Sequence, residues 1–293
     1  MIIVRLSGGL GNQMFQYALY RKFLTLGIES RISLDYFDSY SQKRTIPIHG
    51  AKYLLESVFS GLLVKVATKE EEKKYKPLFG NPIVRQVAKS GFIRKYKVED
   101  MRLSRSTFHP NVLQLTDAYL DGYWQSSLYF EDILEVLRKE FRFKGVLNED
   151  NARTVDRIES TNSVSIHIRR NDYLKTKEYE ILGKEYYSKA ISLVNERITN
   201  PRYFVFSNDI SWCRQNLDIE ATFVDWNRGD FSYFDMLLMS KCKTNIVANS
   251  TFSIWASLLN QNVNKLVIYP YKYFRSRKQK TDFWPANWTE IVY

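Results

Sequence analysis

From Ser163 onward, short apolar runs alternate with longer amphipathic ones, and this order constrains the fold more than any other feature. The runs 163–168 (SVSIHI), 203–206 (YFVF), 221–224 (ATFV), 245–248 (NIVA) and 265–269 (KLVIY) have strand length. Between them, 184–198, 232–241 and 253–260 have helical patterns, and a short helix starts near Asp209. In 184–198, for example, Tyr187, Ala190, Ile191, Val194 and Ile198 share one face. Strands separated by helices at this spacing pair in parallel, because a parallel connection must cross over, and the helices then cover both faces. The expectation for this half is a doubly wound α/β domain.

The first forty residues repeat the pattern once. Residues 2–6 (IIVRL) read as a strand and Ser7-Gly8-Gly9-Leu10-Gly11 as a loop. Asn12 to Leu26 carries Met14, Phe15, Ala18, Leu19, Phe23 and Leu26 at helical spacing, Gly27 stops that helix, and 28–34 alternate as a second strand. The loop is not a dinucleotide fingerprint, since the third glycine position is Met14, nor a P-loop, since no Gly-Lys-Ser/Thr follows. It remains a glycine-rich turn, with Asn12 and Gln13 as neutral hydrogen-bonding groups. Residues 40–120 hold most of the charge clusters, including TKEEEKKYK from Thr68 to Lys76, and read as helices with long connections. A helical stretch at 128–141 precedes a polar segment, 145–162, that reads as a link between two domains. The expected division is 1–150 and 151–293.

Composition narrows the partners. A 44% hydrophobic chain of 293 residues can bury a large core, so the protein is globular. Its formal charge of +11 favours polyanions, phosphorylated small molecules or an anionic membrane surface. Two cysteines and no CxxC argue against a disulfide scaffold or thiolate metal site, and a reducing compartment fits. MIIVRLSGG does not read as a signal peptide, because its apolar run is cut by Arg5. No apolar run reaches spanning length. The expectation is a cytoplasmic protein that can touch the inner membrane face.

In open parallel sheets ligands bind beyond the carboxyl ends of the strands. Here those ends read His167-Ile168-Arg169-Arg170-Asn171-Asp172, Ser207-Asn208-Asp209, Asp225-Trp226-Asn227 and Asn249-Ser250-Thr251-Phe252. Together they describe a polar crevice. Arg169 and Arg170 are permanent cations that fit phosphate oxygens, although an ion pair to Asp172 would also account for them. Ser250 and Thr251 open a helix, an anion site or simply a cap. His167 is either a hydrogen-bonded core histidine or a nucleotide contact. Asp235 lies in an apolar helix and needs a partner, structural or a bound base. Three scattered histidines (His49, His109, His167) and the absence of Asp-x-Asp argue against a divalent-metal site. There is no GxSxG serine-hydrolase motif and no recognisable nucleic-acid motif.

The ordered motifs SGGLGNQMFQYA, SIHIRRNDY, FSNDISWC and ANSTFSIWASLL, with the closing YPYKYF and TDFWPANW, resemble the α-1,2-fucosyltransferases of glycosyltransferase family 11. The resemblance spans nearly the whole chain, and the HxRRxDY segment is its most specific part. It implies a GT-B-like α/β fold of two Rossmann-type lobes with a cleft between them. The N-terminal lobe would bind the acceptor and the C-terminal lobe GDP-fucose. It also implies inverting, metal-independent transfer of L-fucose from GDP-β-L-fucose to the 2-hydroxyl of a terminal β-galactoside, carried on an oligosaccharide or lipid-linked glycan. No cofactor is implied. By the same resemblance Arg169 would clamp the β-phosphate with Arg170 assisting, Ser250 and Thr251 would bind phosphate through hydroxyl and backbone groups, and Phe252 would contact the donor. Asp235 and the His167 region would read the base, and Asn12 would face the donor. Asp172 is the nearest candidate base, with Glu178 and Glu180 as rivals. Two further readings stay open: a fucosyltransferase of another linkage or acceptor, and a non-catalytic polyanion- or membrane-binding protein using the basic runs Arg94–Lys97 and Tyr273–Lys280.

Overall fold

The computed structural model describes residues 1–41, 52–75, 96–98, 107–275 and 282–293. They fall into two compact units, Met1–Lys144 with Thr281–Phe283, and Gly145–Lys280 with Trp284–Tyr293.

The first unit holds a four-stranded sheet of β1 (Ile2–Arg5), β2 (Ser30–Ser33), β3 (Tyr96–Val98) and β4 (Ala118–Asp121), in the order β2-β1-β4-β3, with every pair parallel. Helix α1 (Leu10–Thr25) connects β1 to β2. It is buried almost all round, through Met14, Phe15, Tyr17, Ala18, Leu19, Tyr20 and Phe23, rather than along a single stripe. Its buried polar groups are therefore paired. Gln16 accepts from the Ser7 amide at 2.8 Å and donates to Ser7 Oγ and the Gly122 carbonyl at 3.0 and 2.8 Å. Arg21 forks onto Glu140 at 2.7–2.9 Å, and the Tyr17 hydroxyl donates to the same carboxylate at 2.7 Å.

Two readings of this region are corrected. Residues 40–120 are not helices alone, since they contribute β3 and most of β4; within them, the run after Thr68 does form a helix, Lys69–Tyr75. The stretch 128–141 begins as two 3₁₀ turns before its helix, Leu134–Glu140. Positions 94–95 and 276–280 of the two basic runs lie outside the described residues.

The second unit holds a six-stranded sheet of β5 (Asn162–Ile168), β6 (Pro201–Ser207), β7 (Ala221–Val224), β8 (Thr244–Ile246), β9 (Leu266–Pro270) and β10 (Thr289–Ile291). Its order is β10-β9-β8-β5-β6-β7, with every pair parallel. The polar segment 145–162, read above as a link, instead contains helix α2 (Glu149–Glu159), capped by Asn148 and buried along Thr154, Val155 and Ile158. Helices α3 (Lys184–Arg197), α4 (Ile210–Asn216), α5 (Tyr233–Lys241) and α6 (Thr251–Leu259) complete the unit.

Strand β5 is buried on both faces, as a central parallel strand should be. Val164, Ile166 and Ile168 pack with Tyr186, Tyr187, Ala190 and Val194 of α3. Ser165 and His167 point the other way, where Ser165 Oγ accepts from Asn245 and the His167 ring lies 5.7 Å from Phe252.

Chain progression runs outward in opposite directions from β5 and from β8, so the switch point of this sheet lies between them. Their ladder ends at Ile166 and Ile246. Beyond it, hydroxyls from α3 occupy carbonyls near the strand ends: Tyr186 donates to Val247 at 2.7 Å and Tyr187 to His167 at 3.2 Å. Burial pushes both phenols well above their ordinary range, which keeps them donors.

Candidate functional site

The switch point is where sequence order and strand geometry together leave room for a ligand, and four of the expected residues lie in the turns that follow β5 and β8. After β5 the chain turns through Arg169–Asp172 into a 3₁₀ turn, Tyr173–Lys175. Asp172 meets Arg169 through two contacts of 2.9 Å, from Nε and from a terminal nitrogen, the fork geometry that suits guanidinium. Asn208, just after β6, donates to the same carboxylate at 3.0 Å and accepts from the Arg170 amide at 2.9 Å. Burial alone would raise the Asp172 carboxyl. The Arg169 guanidinium and the hydrogen bonds outweigh it and hold the group below the ordinary carboxylate range. It is therefore ionised and engaged.

The two arginines have different surroundings. Arg170 lies 4.1 Å above the Trp212 ring and 3.3 Å from Asp209, so its guanidinium braces α4. Arg169, among the described residues, pairs with the neighbouring Asp172 alone and is about a quarter exposed.

After β8 the chain passes Ala248 and Asn249 to Ser250, whose hydroxyl caps α6 by accepting from the Phe252 amide at 3.4 Å. Thr251 opens that helix, whose N-terminus carries the positive end of the helix dipole. His167 borders the same helix end against Phe252. Its Nδ1 is buried without a partner, so the hydrogen-bonded core histidine is not what the structure contains. Burial first, and Arg169 second, push its pKa down to about 3, leaving a neutral imidazole.

Asp235 stands in the first turn of α5. Its Oδ1 accepts from Asn227 at 2.9 Å; Asn227 exchanges two hydrogen bonds with Asn151 of α2 at 2.8 and 2.9 Å, and Trp226 donates to Asn151 at 2.8 Å. Burial pushes the Asp235 carboxyl up to about 7, against the lowering effect of the Asn227 bond. Asn12 belongs to the first unit, where its Oδ1 accepts from Gln125 at 2.8 Å. Gly8 (φ +75) crowds it: a Cβ there would lie 2.6 Å from Asn12 Nδ2.

Sequence reasoning missed Asn151 entirely, having read its segment as a link. It noted Asn208, Asp209, Asn227 and Asn249 only as polar strand ends. Their shared signal is an amide or carboxylate directly after an apolar run, which gives position but not pairing. Among the described residues, no three His, Cys, Asp or Glu side chains group into a metal-binding set, and no helix is long and apolar enough to cross a membrane.

Comparison with known proteins supplies the context for this arrangement. The family model for glycosyl transferase family 11 matches residues 1–292. An alpha-1,2-colitosyltransferase from Escherichia coli is 31% identical over 302 residues, covering 99% of each chain. Human galactoside alpha-(1,2)-fucosyltransferase 1 is 28% identical over 156 residues, covering 48% of this chain and 42% of that protein. Among solved structures, NodZ alpha-1,6-fucosyltransferase soaked with GDP-fucose matches with a TM-score of 0.50 at 16% identity, covering 88% of this chain and 91% of NodZ. That likeness supports a GT-B-like α/β fold.

Proposed function

Because the chain belongs to glycosyl transferase family 11, we propose that it is an inverting, metal-independent enzyme that moves L-fucose from GDP-β-L-fucose to the 2-hydroxyl of a terminal β-galactoside. The observation that carries this reading is the switch point of the second unit. There a forked Arg169–Asp172 pair follows β5 and the capped N-terminus of α6 follows β8.

The chemistry needs anion stabilisation above all. As GDP departs, the fucosyl carbon takes on oxocarbenium character and negative charge grows on the β-phosphate oxygens. Fixed donors from Arg169, with the positive end of the α6 dipole at Thr251, meet that charge without reorganisation, and a single such donor contributes about 3–4 kcal/mol. Arginine then does what a magnesium ion does elsewhere. Arg170, occupied by Asp209 and Trp212, stiffens the turn. Asp172 is ionised but already forked onto Arg169, so we assign it to aiming the guanidinium ahead of acting as base. Asp235 accepts N–H groups of the base, with His167 beside it. Inversion requires in-line attack by a positioned acceptor hydroxyl. We assign the acceptor, an oligosaccharide or lipid-linked glycan, to the first unit, with Asn12 facing the donor. Action in the cytoplasm, with contact to an anionic membrane through the +11 charge, belongs to the same proposal.

One observation favours a second donor. The relative of 31% identity transfers colitose, which lacks the 3-hydroxyl of fucose. Parallel assays with GDP-fucose and GDP-colitose on β-galactoside acceptors, with product linkage read by NMR, separate the two. Under the main reading, fucose transfer gives an α-1,2 product, survives EDTA, and falls at least about 100-fold in Arg169→Ala. EDTA-abolished turnover or a fully active Arg169→Ala would overturn the mechanism. Salt-dependent polyanion binding without turnover would point to the non-catalytic alternative.

A further inference from the structure

The turn that carries Arg169 is fastened to the second unit at both ends. At its start, Asn208 takes the Arg170 amide and supplies a donor to Asp172, and Asn171 donates back to the Asn208 carbonyl. At its far end the fastening is Asn249, which is fully buried. Its Nδ2 donates to the Glu180 carbonyl at 2.9 Å and to the Tyr273 carbonyl at 2.8 Å. Its main-chain carbonyl accepts from the Tyr173 hydroxyl at 2.8 Å. Aromatic rings seal the junction: Tyr173 stacks on Tyr179 at 4.3 Å, and Tyr179 on Phe274 at 5.7 Å. Residues 179 and 274 also form an isolated antiparallel bridge, and Glu180 donates its amide to Tyr273.

Three separate stretches, 173–180, 273–274 and the end of β8, therefore converge on one asparagine, whose side chain bonds two of them. Only an amide of this size offers two donors to two carbonyls. The arrangement also leaves Asn249 Oδ1 enclosed with no partner, a cost that purely structural sites avoid. Along the chain, Asn249 is joined directly to Ser250, the cap of α6. Through Tyr173 it is one residue from Asp172, which aims Arg169.

We infer that Asn249 is a positioning residue for the transfer reaction: it locks the Arg169–Asp172 turn to the N-terminus of α6, so that the guanidinium and the positive end of the helix dipole stay in register. The inference rests on the phosphate-clamp reading above, and it adds a residue that touches no substrate. Removing the lock leaves base recognition at Asp235 intact, because that network runs through Asn227, Asn151 and Trp226. The loss falls on the β-phosphate alone.

The test is calorimetric binding of GDP and of GMP, which lacks the β-phosphate, to the full-length protein. Asn249→Asp keeps the shape but turns an acceptor toward two carbonyls. It should weaken GDP binding about tenfold or more, with GMP changed less than about twofold. Tyr173→Phe, which removes one hydroxyl and keeps the ring stack, should shift the same ratio in the same direction by less. In an Arg169→Ala background, Asn249→Asp should add less than about twofold, because the lock has nothing left to aim. Equal loss of GDP and GMP in both single variants, or full multiplication with Arg169→Ala, overturns the inference. If Arg169→Ala itself leaves the GDP-to-GMP ratio unchanged, it is the clamp reading that fails, and the three single variants keep the two failures apart.

Discussion

Replacing Asn208 by aspartate tests whether the Arg169–Asp172 fork governs donor use. The change is isosteric. The acceptor for the Arg170 amide at 2.9 Å survives, but the Nδ2 donor now 3.0 Å from Asp172 becomes a carboxylate oxygen. A lost hydrogen bond to a charged group costs about 1.5–3 kcal/mol. Carboxylate charges about 4 Å apart repel by about 4 kcal/mol at an effective dielectric of about 20. Asp172 is 41% exposed, so screening reduces the repulsion to about 2 kcal/mol. Proton uptake sets a ceiling, since close carboxylates share a proton when repulsion exceeds the cost of binding it, about 4 kcal/mol at pH 7. The two terms together reach that ceiling, so the working figure is about 4 kcal/mol, or roughly 1,000-fold in kcat/KM for the donor at neutral pH and above. The added negative charge beside the phosphate donors acts in the same direction. Because the penalty exists only while both carboxylates are ionised, the variant should recover relative to wild type as pH falls toward 5. Asn208→Ala, which loses hydrogen bonds but adds no charge, should show a smaller defect at all pH values. The assay is initial-rate fucose transfer from pH 5 to pH 8, with Tm followed in parallel. Wild-type rates in Asn208→Asp at pH 8, or a defect equal to that of Asn208→Ala and flat with pH, would refute the reasoning.

Two further outcomes follow from buried groups. Asp235→Asn should stabilise the protein at neutral and higher pH. The folded carboxyl lies at about 7 against its ordinary 3.8, so wild-type stability is full below 3.8 and declines as pH rises through 7; the ceiling of about 4 kcal/mol is halved to about 2 because the side chain is only half-buried. Thermal melts from pH 4 to pH 8 should therefore show the variant gaining on wild type, and a constant difference would count against it. The same variant should bind GDP more weakly. Glu140→Ala leaves the Arg21 guanidinium and the Tyr17 hydroxyl without their buried partner, at a cost of about 3–5 kcal/mol and a Tm lower by about 10 °C. A shift under about 2 °C would mean that water replaces the carboxylate.

The legibility of this chain followed the physics of each signal. Strands β5 to β9 and helices α3 to α6 were readable because a buried parallel strand needs an apolar run and its crossover helix needs an apolar stripe. β3, β4 and β10 were not, being three or four residues long and set among polar neighbours; pairing makes them strands, with little help from composition. Helix α2 was hidden by its own polarity, since only Thr154, Val155 and Ile158, with the uncharged Asn151, turn inward.

The sequence by itself determined the parallel α/β class of the second half, the order of the polar strand ends and the resemblance that names their chemistry. All three depend on local pattern and order along the chain. Tertiary structure alone decided the rest. It put β8 beside β5 and so created the switch point. It sent Arg170 to Trp212 and Asp209 while leaving Arg169 forked on Asp172. It drew Asn151, Asn227 and Asp235 into one network, and made Asn249 the junction of three segments. Two adjacent arginines carry the same charge and the same local propensity, so only the partners that folding brings to each can set them apart.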